Sequence, residues 1–142
     1  MNRLTIFNNE EFGTIRAIER ARSSEHVGFI YVLEWDDAVK IGCTMYPCRR
    51  LKELKRQAER YGNVSLNRFA ISKEHTNYRE NERKMHEHFA KYRRGNTEIF
   101  DITMKEIEVK FPKHIEFLDK SDEIEKECNK TFNFLKSLVM GI

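Results

Sequence analysis

Residues 28–42 constrain this chain more than any other segment. Gly28-Phe29-Ile30-Tyr31-Val32-Leu33-Glu34-Trp35 is a β-branched and aromatic run, Asp36-Asp37 supplies a turn, and Ala38-Val39-Lys40-Ile41-Gly42 resumes the apolar pattern. Two such runs two residues apart predict a β-hairpin. Pro47 then suits the first turn of a helix, and Leu51, Leu54, Ala58 and Tyr61 recur at helical spacing before Gly62-Asn63 stops it. This predicts a helix over 47–61.

Val64 to Ser72 reads as a third strand, with Val64, Leu66, Phe69 and Ile71 facing inward across a shift of phase. A second helix is predicted from Thr76 or Asn77 to about Arg93, with Tyr78, Met85, Phe89 and Tyr92 on one stripe. Gly95-Asn96 ends it, and 99–102 returns as a short extended piece. Thr103 to Lys110 reads as a short helix closed by Pro112, and Ser121 as the cap of a final helix bearing Ile124, Cys128, Phe132, Leu135 and Leu138. That helix is amphipathic; covering the core is the favoured reading, a seam with a second copy or a protein partner the other. The expected fold class is α+β, a small three-stranded antiparallel sheet flanked by helices with an additional C-terminal helix. The expected division is an N-terminal extension over 1–26, a central domain over 27–102 and a C-terminal helical extension over 103–142.

A length of 142 residues allows one modest core and no second full domain. No apolar run approaches the ~20 residues of a membrane span, and Met1-Asn2-Arg3 leads into a mixed segment without a signal-peptide core. A soluble, cytoplasmic protein without a membrane partner is therefore expected. Cys43, Cys48 and Cys128 fit no metal-binding spacing and read as reduced thiols. The net charge of +3 hides a strong asymmetry. Residues 1–39 carry four basic against seven acidic side chains, residues 40–95 fifteen against six, and residues 96–142 seven against ten. The central block is interleaved with aromatics, as binding a polyanion requires, although solvated helix faces account for it equally well on charge alone.

Glu82 stands out in that block. Tyr78, Met85, Phe89 and Tyr92 lie at −4, +3, +7 and +10 from it, which puts its carboxylate on the apolar stripe, where it needs a cation, a hydrogen bond or a metal ion. Arg50 borders the helix face that packs on the hairpin, whereas Arg49 points about 100 degrees away. A guanidinium there can bind phosphate oxygens in two-pronged fashion. His75 and His88 read as surface residues.

Taken together these residues resemble the GIY-YIG nuclease superfamily. Gly28-Phe29-Ile30-Tyr31 is similar to its first motif with one added residue, and Lys40-Ile41-Gly42 to its second in the phage-type branch that reads K-I-G. Arg50, followed by Leu51, is similar to the arginine of the family's first helix. Glu82 with Met85-His86 and Phe89 resembles an E-x-x-[apolar]-H-x-x-F pattern, and Glu98-Ile99-Phe100 a closing E-W-F. Lys40 stands where better-known members have tyrosine, Ile99 where tryptophan is common, and Asn96 is the nearest match to a closing asparagine. The first fifteen or so residues, Leu4 to Arg16, resemble the start of phage antirepressor domains of the BRO type, which suggests a phage or prophage origin.

The resemblance implies a metal-dependent endonuclease acting on nucleic acid, DNA before RNA, with Mg2+ or Mn2+ held by Glu82. It implies that Arg50 neutralises developing charge, that Tyr31 positions or deprotonates the attacking water, and that Lys40 favours its phenolate or binds phosphate. His86 is a second candidate for proton transfer. Arg49, Lys52, Lys55, Arg56, Arg83, Arg93 and Arg94 are the expected nucleic-acid contacts. The other readings are a catalytically weak or inactive nucleic-acid-binding module, such as a phage regulator or an inhibitor of a host defence complex, and a protein-binding factor that retains only the fold.

Overall fold

The structure is a computed structural model that describes residues 3–8, 10–62 and 65–141. In chain order it holds β1 (Leu4–Asn8), α1 (Phe12–Arg20), β2 (Phe29–Trp35), β3 (Ala38–Thr44), α2 (Pro47–Tyr61), β4 (Arg68–Ser72), α3 (Tyr78–His88), a 3-10 turn (Ala90–Tyr92), β5 (Ile99–Phe100), α4 (Met104–Val109) and α5 (Ser121–Met140). The predicted hairpin is β2–β3, paired without a break from Phe29↔Thr44 to Trp35↔Ala38. Its turn rests on Asp36, whose φ of 44° lies in the left-handed region that Asp tolerates better than most side chains.

The sheet has five antiparallel strands in the order β1-β4-β2-β3-β5, which corrects the expected three. The two added strands lie at the edges. β1 pairs with β4 from Leu4↔Ser72 to Asn8↔Arg68, and β5 touches β3 only at Val39 and Lys40. β1 does not show in a local pattern, because it finds its partner some sixty residues away, while β5 falls within the short extended piece expected over 99–102 and is two residues long. The third predicted strand starts at Arg68. The predicted stop at Asn63 and the inward Val64 lie outside the described residues. The second predicted helix ends at His88, and the chain reaches Arg93 through the 3-10 turn.

Strand alternation separates two cores. Ile30, Val32, Val39 and Ile41 pack with Met85 and Phe89 of α3 and with Met104 and Ile107 of α4. Tyr31, Leu33, Phe69 and Ile71 pack on the other face with Ile15 of α1 and Leu51 of α2. The buried carboxylate of Glu34 ties the first of these together. It accepts from Arg68 Nε at 3.0 Å and Nη2 at 3.3 Å, and from the Met104 amide at 2.9 Å at the start of α4. Thr103 caps α4 by accepting from the Glu106 amide.

α5 departs from expectation in two ways. Ser121 is not its cap; Lys120 holds that position, and Asp119 accepts from the Ser121 amide at 3.1 Å and its hydroxyl at 2.6 Å. Nor does α5 cover the core: none of its residues is buried, and Phe132, Phe134, Leu135, Leu138, Val139 and Met140 are exposed. The α3 face is closed by α4 and by Phe111, Ile115 and Phe117 of the connecting segment, without α5. Among the described residues its first turns are tied down, by Ser24 Oγ to Ser121 Oγ at 2.7 Å and by His26 Nε2 to Glu125 Oε2 at 2.8 Å. Among the described residues no helix is long and apolar enough to cross a membrane. Because residues beyond Cys128 bury nothing, deleting 129–142 is expected to leave the thermal unfolding midpoint, followed by circular dichroism, within about 2 °C of the full chain.

Candidate functional site

Gly42 decides the geometry of the site. It sits opposite Tyr31 in the β2–β3 register, and a Cβ built on it would lie 2.4 Å from the phenol oxygen and 2.5 Å from the ring. No side chain fits there. The Tyr31 ring therefore lies across β3 at Gly42, with its hydroxyl carried over that strand. Among the described residues β5 pairs with β3 only at Val39 and Lys40, so past them the side of β3 turned away from β2 is an open edge. Side chains from the two faces of the sheet can approach one another around it.

From the α2 face comes Arg50, partly buried, whose guanidinium hydrogen-bonds the Tyr31 hydroxyl and lies 3.4 Å from Glu53 Oε2. The guanidinium can only donate, so the phenol oxygen accepts and its own proton remains available to a water or a phosphate oxygen. From the α3 face comes Glu82, half-buried, which accepts a hydrogen bond from the Cys43 thiol. His86, one turn along α3, bonds through Nε2 to the Ile41 carbonyl at 2.8 Å and packs its ring on Phe100. A carbonyl only accepts, so Nε2 carries the proton and Nδ1 is the basic nitrogen. The Ile41 amide donates to the Glu98 carbonyl at 3.0 Å.

Burial pushes the Tyr31 phenol from its ordinary 10.0 up to about 12; Arg50 pulls it down, and the Glu98 and Glu82 carboxylates add to the rise. Lys40, expected to favour a phenolate, gives its ammonium instead to Glu98 Oε2 at 2.7 Å. The phenol is accordingly a neutral donor at physiological pH. Burial likewise pushes the Cys43 thiol up to about 12, with the hydrogen bond to Glu82 and its charge next in weight.

The structure thus brings Tyr31, Arg50 and Glu82 to one edge, with His86 and the Lys40–Glu98 pair beside them. The predicted nucleic-acid contacts divide. Arg49 is exposed and stacks on Tyr46 at 4.9 Å, Lys52 and Lys55 approach the Phe12 ring at 5.7 and 5.3 Å, and Arg56 is exposed. Arg83 pairs with Glu87 at 2.6 Å, Arg94 with Asp101 at 2.6 Å, and Arg93 donates to the Thr97 carbonyl at 2.6 Å. His88 is exposed as expected, but His75 is buried: Nδ1 donates to the Lys73 carbonyl at 2.8 Å, the ring packs on Phe117, and burial lowers its pKa. Cys43 is the neighbour of the site that sequence reasoning did not single out, and Gly42 entered only as part of the K-I-G motif, without its packing role. A glycine inside a strand and directly after an apolar run is the signal that was there to find.

One family model, that of the T5orf172 domain, matches residues 28–128. Neither a curated protein nor a solved structure matches the chain.

Two measurements follow from the protonation of the site. In a Cys128→Ser background, Cys43 is expected to react slowly with iodoacetamide at pH 8. Glu82→Gln should speed it about tenfold for each pH unit by which the thiol pKa falls. For Tyr31, folding binds the proton more tightly, so the stability it carries is complete below pH 10 and lost as pH rises through about 12. Absorbance titration at 295 nm should show a late step near pH 12 that Tyr31→Phe removes.

Proposed function

Because the chain belongs to the T5orf172 domain family, a phage-associated nuclease-like domain, we propose that it is a GIY-YIG-type endonuclease hydrolysing phosphodiester bonds, in DNA before RNA. One observation carries this reading: a hydrogen-bonded Tyr31–Arg50 pair from one face and a carboxylate from the other meet at the Gly42 edge.

A divalent cation fits Glu82. Its carboxylate takes a thiol hydrogen bond, and among the described residues no cation lies within ion-pair distance of it, whereas Glu53, Glu98 and Glu34 are each paired. Among the described residues no three His, Cys, Asp or Glu side chains gather as a closed ligand set. One hard oxygen ligand suits Mg2+ or Mn2+, which keep several waters and take phosphate oxygens, better than it suits a structural zinc. When bound, such an ion would polarise a phosphate oxygen and stabilise the leaving oxygen.

The side chains do the rest. Arg50 neutralises charge that develops on the phosphoryl oxygens while steadying Tyr31. The Tyr31 proton orients the attacking water or a phosphate oxygen; at a pKa of about 12 the phenol itself is a poor base. His86, its ring fixed by the Ile41 carbonyl, presents Nδ1 as a proton acceptor. Lys40 acts through Glu98, to which it is bound.

That commitment of Lys40, together with the raised Tyr31, favours a second reading in which the chain binds nucleic acid and cuts it slowly or not at all, as a phage regulator or an inhibitor of a host defence complex would. The exposed apolar stripe of α5 suits a protein partner in either case.

Supercoiled plasmid separates the readings. Nicking should require Mg2+ or Mn2+ and stop with a chelator; Glu82→Gln should abolish it and Arg50→Ala should slow it by about 10²–10³-fold, while circular dichroism stays unchanged. Salt-sensitive retention of DNA without any nicking would establish the binder.

A further inference from the structure

A cluster of unneutralised charge lies beside the site and draws on a segment outside the matched family region. Tyr46 precedes α2 and is 39% exposed. Two guanidinium groups approach its ring, Arg49 from α2 at 4.9 Å and Arg22 from the segment after α1 at 4.7 Å. Among the described residues neither is within ion-pair distance of a carboxylate. Arg22 bonds to main-chain carbonyls instead, through Nε to Glu19 at 3.3 Å and Nη1 to Val27 at 3.5 Å.

Their separation is fixed by a third contact. Glu19 Oε1 accepts from the Cys48 amide at 3.0 Å and the Arg49 amide at 3.4 Å, so α1 caps the start of α2 with its own carboxylate. That contact commits Glu19 to the backbone, and it leaves both cations directed at a shared open hollow of about 530 Å3 lined by Arg20, Arg22, Tyr46 and Arg49 together with Glu19 and Glu25. Two like charges held against one aromatic ring repel each other, and the ring offsets that only in part. An anion bridging them removes the repulsion. Planar guanidinium groups suit the oxygens of a phosphate.

We propose that Arg22, Tyr46 and Arg49 form a phosphate clamp that holds the nucleic-acid strand beside the reacting phosphodiester. This rests on the nuclease reading only for the identity of the partner. Arg49 and Arg50 are successive residues on α2, one turned out to the clamp and the other in to Tyr31, so a strand gripped by the first is presented to the second. Tyr46 acts by positioning the two cations. The N-terminal segment thereby becomes part of the substrate surface.

The test is fluorescence anisotropy with a labelled 20-base-pair duplex at several salt concentrations, using the Glu82→Gln chain so that no cleavage intervenes. Arg22→Ala and Arg49→Ala should each flatten the dependence of log affinity on log salt by about 0.9. Tyr46→Ala should weaken binding, and Tyr46→Phe should restore it, since the ring and not the hydroxyl holds the cations. Lys126→Ala on α5 removes the same charge elsewhere and should leave the slope alone. The clamp is wrong if Arg22→Ala keeps the parent slope, if Lys126→Ala flattens it equally, or if the duplex does not bind at all. Failure to nick plasmid with these slopes intact would remove the nuclease reading and leave the clamp.

Discussion

The contact between the Tyr31 ring and Gly42 is what the rest of the site depends on. A glycine within a strand ordinarily weakens a sheet, because it adds backbone entropy and packs nothing. Here the loss is offset by a hairpin paired over seven residues and by β4 on the other side of β2. Gly28 repeats the device at the start of the same hairpin. A Cβ there would lie 2.7 Å from the Tyr78 ring, so the first residue of α3 beds directly on the backbone just before β2. One glycine thus sets the approach of the helix that carries Glu82, and the other lets the phenol cross to meet it.

Charge is distributed around this frame with little slack. Lys40 is bound to Glu98, Arg50 to Tyr31 and Glu53, and Arg68 to Glu34. Glu82 is left with a thiol, a weak donor that does little to compensate a half-buried carboxylate. On the other side of the site the Arg22 and Arg49 cations carry no carboxylate partner among the described residues. In the proposed nuclease function, a site with an anion on one flank and cations on the other would be completed by a ligand that brings both charges, as a metal-bound phosphodiester would.

How much of this was legible in the sequence depends on whether the determining contacts are local. The hairpin, α2 with Pro47 at its start, and the apolar stripe of α3 were readable because turn chemistry and periodicity act within a few residues. The split of Arg49 from Arg50 was readable for the same reason. β1 was not, since its pairing with β4 is long-range, and neither was the exposure of α5, because periodicity shows that a helix has an apolar face and says nothing of whether a surface is left for it. The charge pattern was misleading in a related way. It marked residues 40–95 as basic, but folding ties Lys40, Arg83 and Arg94 to carboxylates and adds Arg22 from outside the block.

The shortness of β5 belongs to the same argument. A strand edge left open invites pairing with another chain, and proteins usually block it. In this chain β5 covers Val39 and Lys40, the Glu98 carbonyl takes the Ile41 amide, and His86 caps the Ile41 carbonyl with an imidazole N–H. The edge is thereby protected as far as Ile41 by groups that leave room above Gly42. A longer β5 would protect it better and would lay backbone across the place where the Tyr31 hydroxyl and Glu82 approach each other. The use of a side chain in place of a further strand residue is what lets one edge be both guarded and open, and it gives His86 a structural role at that edge.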